Sequence, residues 1–141
     1  MSALDSLIRL HRWQVDERRR HVADLEGLAA QLSEERLRLE REEAREQAAA
    51  AASREAGAAY AAYARQLIER RRKLALSQAE VAEQIERSRA ALAEAFQEVK
   101  RYEIMAANRA RQQQRREQRR QQQVQDDLGG EAFRRRGTGE D

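Results

Sequence analysis

Residues 60–106 read YAAYARQLIERRRKLALSQAEVAEQIERSRAALAEAFQEVKRYEIMA. Stepping by four and three in alternation gives Tyr60, Ala64, Leu67, Arg71, Leu74, Gln78, Val81, Ile85, Ser88, Leu92, Ala95, Val99, Tyr102 and Ala106. Only Arg71, Gln78 and Ser88 break the apolar set, and the residues between are mostly Arg, Lys, Glu, Gln and Ala. A repeat averaging about 3.5 residues lays one narrow stripe along a long helix. Two apolar positions per heptad zip one helix against another but cannot build a globular core. The stretch predicts one strand of a coiled coil, and the fold class is all-α.

A second stripe lies toward the N-terminus: Leu4, Ile8, His11, Val15, Arg18, Val22, Leu25, Ala29, Leu32, Arg36 and Leu39. Its arginines can lay their stems along the seam and keep their heads in water. Ser2 and Asp5 form an S-x-x-D capping pattern, so this helix starts near position 3. Asp16 with Arg20, Glu34 with Arg38, Glu69 with Lys73 and Glu83 with Arg87 stand four apart in the favourable order. Such spacing marks a solvated outer face.

The first stripe dies after Leu39. A charged segment, the alanine run Ala48–Ala52 and Gly57, the only glycine between Gly27 and Gly129, follow it. Reversal there folds the first stripe back on the second, with Leu39 near Arg71 and Leu4 near Ala106. The competing reading is one continuous helix paired with a second molecule. Two seams of similar length in one chain favour the hairpin, because tethering raises the effective concentration of the partner helix. The expected organisation is an antiparallel coiled-coil hairpin over 3–125: helix one at about 3–52, a turn at about 53–58 and helix two at about 59–125. Gly129 and Gly130 should stop the second helix, leaving 129–141 as a disordered tail.

Composition agrees. The 141 residues include no Pro and no Cys, with 38% charged and 4% aromatic side chains. Absence of proline removes the strongest helix breaker, and so few bulky apolar residues cannot fill a compact core. Without cysteine there are neither disulfides nor thiolate metal sites. No apolar run approaches the roughly 20 residues of a membrane span, and no signal-peptide core opens the chain. A soluble intracellular protein is expected. The net charge of +3 is slight, so basic character must be local.

That locality is residues 109–123, RARQQQRREQRRQQQ, with six Arg and one Glu. Such a run can contact nucleic-acid phosphate, yet it lacks interleaved aromatics for base stacking and a directly fused zipper. Gln at every gap suits polar contact with another protein, which is the favoured reading over nucleic acid; a merely solvated face is the third. A membrane surface is disfavoured because no apolar face backs the arginines. Chemistry has little to work with. His11 and His21 are ten apart and share no i,i+4 metal face, no nucleophile has a base beside it, and Glu42 and Glu43 sit where water is not excluded. The sequence reads as no enzyme, with no catalytic residue, no metal, no cofactor and no small-molecule substrate. Tyr60 and Tyr63 are outliers in an aromatic-poor helix. One of them closes the seam; Tyr63, one position before seam residue Ala64, is expected partly exposed, as an anchor for a partner.

These features resemble the FliJ family of the bacterial flagellar export apparatus. The resemblance rests on size, on the two stripes, and on Tyr60-Ala-Ala-Tyr63-Ala-Arg-Gln-Leu67, similar to the family's aromatic-x-x-aromatic-x-x-x-Leu opening of the second helix. Lys100-Arg-Tyr102-Glu103 is similar to its late Lys-x-x-Glu stretch, and the Arg/Gln run leading to Asp126-Asp127-Leu128 to its C-terminal acidic box. The resemblance implies a cytoplasmic stalk, peripheral to the inner membrane, that binds the hexameric export ATPase, the membrane-embedded export gate and export chaperones. By position it implies ATPase contacts at Leu4, Leu7, Ile8, Arg109, Arg115, Arg116, Arg119 and Arg120. Gate contacts fall at Tyr60, Tyr63, Leu67, Arg70 and Leu74. A homodimeric scaffolding coiled coil and a basic nucleic-acid-associated helix are the alternatives. Oligomeric mass tests the first, and salt-dependent DNA affinity the second.

Overall fold

The computed structural model describes residues 2–138 and is built of two α-helices, α1 (Ala3–Ala50) and α2 (Arg54–Thr138), with no strand among the described residues. The two long helices pack against each other as a helical hairpin, as the stripes predict. Two compact units divide it. One joins the chain up to His11 to the chain from Gln97 onward; the other is Arg12–Phe96.

The start of α1 is the expected capping box. Ser2 Oγ accepts from the Asp5 backbone N–H at 3.2 Å, while the Ser2 N–H donates to Asp5 Oδ2 at 3.2 Å. Two orphan donors are thereby satisfied reciprocally. Hydrogen bonding from Ser2 also holds the Asp5 carboxyl below the ordinary aspartate value.

The turn falls earlier than the expected 53–58. Helix α1 ends at Ala50, and Ala51, Ala52 and Ser53 make the connection. The Ala52 N–H closes on the Ala49 carbonyl at 3.2 Å. Ser53 then caps α2, its Oγ accepting from Ala56 N–H at 3.1 Å. Gly57 is therefore helical and has no positive φ. A serine that can accept from the first turn outranks a glycine as a boundary when no left-handed residue is needed.

In the Arg12–Phe96 unit the core is a single seam. Leu25 clusters with Val81 and Ile85, and Leu39 with Leu67 and Leu74; Leu32 packs on both. Leu67 is 2% exposed and Leu39 3%, and both are seam positions. Ion pairs flank the seam: Glu26 with Arg89 at 3.0 Å, Glu42 with Arg70 at 3.6 Å, and Glu43 with Arg71. Each is worth roughly 0.2–1 kcal/mol at such exposure, so they select register more than they add stability. The stripe's arginines behave as expected: Arg18, Arg36 and Arg71 stay exposed, Arg36 pairing with Glu40 at 3.3 Å. Where Arg36, Arg71 and Gln78 replace apolar residues, the seam opens into a groove of about 430 Å³ that Leu39 and Leu74 also line. Two of the expected i,i+4 pairs are displaced by i,i+3 partners, Arg20 taking Glu17 and Glu69 taking Arg72. Glu83 with Arg87 stands at 3.9 Å.

In the other unit Leu4, Ile8 and Val99 are buried, and His11 stacks on Tyr102 with ring centroids 4.8 Å apart. A shallow groove brings Leu4 beside Ala106, as folding back requires, with Ser2, Asp5, Arg109, Ala110 and Gln113 around it. Beyond Gln113, every described position of α2 with an assigned burial is exposed. The expected stop at Gly129 and Gly130 is not found, for α2 continues to Thr138. The expected disordered tail over 129–141 is accordingly helical as far as 138, and 139–141 lie outside the described residues. A glycine ends a helix when it takes the left-handed conformation, and neither does. As ordinary helical residues they cost about 1 kcal/mol each relative to alanine. Nearby side chains bridge them, Arg134 Nε donating to the Gly130 carbonyl at 3.5 Å and Arg135 pairing with Glu131 at 3.5 Å.

Candidate partner-binding surfaces

The first group of candidate residues sits near the start of α2. The rings of Tyr60 and Tyr63 lie 6.2 Å apart, tilted by 40°, and both are half-buried. Tyr63 packs against the Leu39–Leu67–Leu74 cluster, and its hydroxyl is enclosed without a full hydrogen bond. Loss of water around that hydroxyl, then the neighbouring Glu42 carboxylate, push the phenol above its ordinary value. The expectation of a partly exposed ring holds only for one side of it; the other side is packing. Arg70 is exposed and shares Glu42 with Tyr63.

Leu67 is buried, as its place on the stripe predicts. With α2 starting at Arg54, Leu67 lies nearly four helical turns inside and opposite Leu39. Leu67 and Leu74 are buried and support the surface from beneath. What the stretch presents outward is one edge of each tyrosine, the Arg70 guanidinium, and Ile68, which is 68% exposed. Ile68 was missed because it adjoins a seam leucine. Its phase, one step off the stripe and so about 100° round the helix, is the signal that marks it as outward. Trp13, 59% exposed on α1, lies two residues from each of the seam positions His11 and Val15 and so also faces outward.

The second group lies in the unit holding both chain ends. Leu4 and Ile8 are buried and Leu7 half-buried, while Arg109 lines the groove beside Asp5. Arg115, Arg116, Arg119 and Arg120 are all exposed. At about 100° per residue, the six arginines of 109–120 cover only half the helix circumference. Arg120 reaches Glu117 at 4.0 Å; Arg115, Arg116 and Arg119 have no ion pair among the described residues. Uncompensated guanidiniums offer planar, bidentate recognition of carboxylate or phosphate. Among the described residues no group of three His, Cys, Asp or Glu is placed to hold a metal, and no helix is long and apolar enough to cross a membrane.

A thin two-helix coiled coil with a basic helical extension is the class of protein these features define: one that works through its surfaces. The chain belongs to the Flagellar FliJ protein family, which matches residues 1–138. It is a component of the flagellar export apparatus, with a role in flagellum biogenesis and protein export. No curated protein and no solved structure is significantly similar to it.

Proposed function

We propose that the chain is a non-enzymatic stalk of the export apparatus, cytoplasmic and peripheral to the inner membrane. It binds the hexameric export ATPase through Leu7 and the Arg109–Arg120 face, with Leu4 and Ile8 holding that end of α1 in place. Tyr60, Tyr63 and Arg70, on the support of Leu67 and Leu74, bind the export gate, and export chaperones dock on the remaining surface. The observation that carries this reading is the basic tract of α2. All of it is exposed, and Arg115, Arg116 and Arg119 have no ion pair among the described residues, so packing gives no reason for those arginines. Arginine in place of lysine suits an acidic protein surface, where a planar fork meets carboxylates at two points.

Replacing Arg115, Arg116, Arg119 and Arg120 with Glu tests it. Binding to the purified export ATPase should fall at least tenfold, through lost attraction and added repulsion, while circular dichroism shows helicity nearly intact. Unchanged affinity at low salt would reduce the tract to a solvated face.

A further inference from the structure

The stripe of α2 does not stop where α1 begins. Val99, Tyr102 and Ala106 continue at the same steps of three and four through Arg109, Gln113, Arg116, Arg120, Gln123 and Asp127, with Glu131 four beyond. The groove at the start of α1 reaches as far as Gln113. Past it, the same side of α2 is open.

That open stripe is charged, and from Arg116 to Glu131 its charges are sorted, with Arg134 following beyond. At about 100° per residue, Arg116, Arg120, Asp127 and Glu131 fall within about 60° of one another around the helix. The two arginines stand on one side of Gln123 and Val124, and the two acids on the other. Because Gln121–Gln125 separates the blocks, no arginine of the first has an acid of the second three or four residues away. Arg116 and Asp127 accordingly make no ion pair among the described residues. Arg120 pairs with Glu117 at 4.0 Å and Glu131 with Arg135 at 3.5 Å, so neither spans the two blocks.

We propose that this stripe is an interface for a second copy of the chain, laid antiparallel. A two-fold axis between Gln123 and Val124 sets Arg120 against the partner copy's acid at position 127, and Arg116 against its acid at 131. Each pair occurs twice. Val124 lies at the centre, where desolvation strengthens the flanking charges. Parallel pairing is excluded by the same pattern, since every arginine would meet its own counterpart and every acid likewise. The paired segment, Gln113–Arg134, is about 33 Å long and ends where the first turn of α1 begins to occupy the stripe. Exposed ion pairs dominate it, so the dimer is weak and salt-sensitive. The inference stands apart from the proposed ATPase contact, although Arg116 and Arg120 serve both.

Sedimentation equilibrium of the full chain decides it, at low salt with a Debye length of about 30 Å and at high salt with about 3 Å. The expected result is dimer at low salt and monomer at high salt. R116E/R120E and D127R/E131R should each lower the association constant at least tenfold. Mixing the two variants, or combining all four changes in one chain, should restore dimer. Arg119 and Arg115 remain in every variant, so a loss of charge alone cannot explain restoration. A wild-type monomer at low salt overturns the proposal, as does a charge-swapped chain that stays monomeric. If the monomeric chain is instead shifted by a short duplex DNA, the tract is a polyanion surface and the pairing is wrong. D127R/E131R leaves the ATPase-facing arginines in place, so its effect on mass and on ATPase pull-down separates failure of this inference from failure of the functional reading.

Discussion

At Tyr63 one side chain serves packing and surface together. Its ring closes the Leu39–Leu67–Leu74 cluster while one edge faces outward beside Arg70. Tyr63→Ala therefore removes core contacts and should cost about 1–2 kcal/mol, lowering the thermal midpoint. Leu74→Ala, which empties a buried seam position, should cost more, about 2–3 kcal/mol in so thin a core. Ile68→Ala should leave the midpoint nearly unchanged because the side chain already sits in water. Thermal melts of the three variants check the order. Paired with gate binding, they separate support from contact: a loss of binding in Ile68→Ala without loss of stability marks a contact surface. If Ile68→Ala melts like Leu74→Ala, the assignment of inner and outer faces in this stretch is wrong.

At the scale of the element, each helix start is set by a side-chain cap rather than by glycine. Ser2 opens α1 and Ser53 opens α2. Gly57 sits in the first turns of α2, where an added methyl group would stand 3.8 Å from the Ala50 carbonyl, an ordinary contact. Gly57→Ala should thus stabilise, by up to about 1 kcal/mol through helix propensity and a less entropic unfolded chain. A rise in melting temperature is the expected readout. A fall would return the turn to Gly57. The long basic stretch of α2 makes a complementary point: a helix polar on all sides persists through propensity and local pairing, without a core.

For the whole molecule, the central fact is that both strands of the coiled coil come from one chain. Leu25 and Ile85 share a cluster, so cysteines placed there should cross-link within a monomer under oxidation. The reduced and oxidised forms should then have the same mass and differ only in gel mobility. Cross-linking solely between chains would replace the hairpin by a dimer of continuous helices. The core so formed is one seam wide, and none of its side chains is sealed completely. Stability is consequently spread along the helices, and specificity of pairing rests on flanking charges such as Glu26 with Arg89 and Glu42 with Arg70.

Periodicity alone determined that the chain is helical and which residues form the seam; that the two stripes pair within one chain is seen in the Leu25–Val81–Ile85 and Leu39–Leu67–Leu74 clusters. Every buried apolar residue, from Leu4 to Val99, stands on one of the two stripes. The capping box at Ser2 and the exposure of the seam arginines were equally legible, because each depends on neighbours within a turn or two. The structure decided where the chain turns, since Ala48–Ala52, Ser53 and Gly57 offer several local solutions and the folded chain takes the Ser53 cap. From packing followed the inward side of Tyr63, which local spacing does not report. It also decided that α2 runs through Gly129 and Gly130 to Thr138. Glycine permits a helix end without imposing one, and which outcome prevails depends on the backbone conformation it adopts.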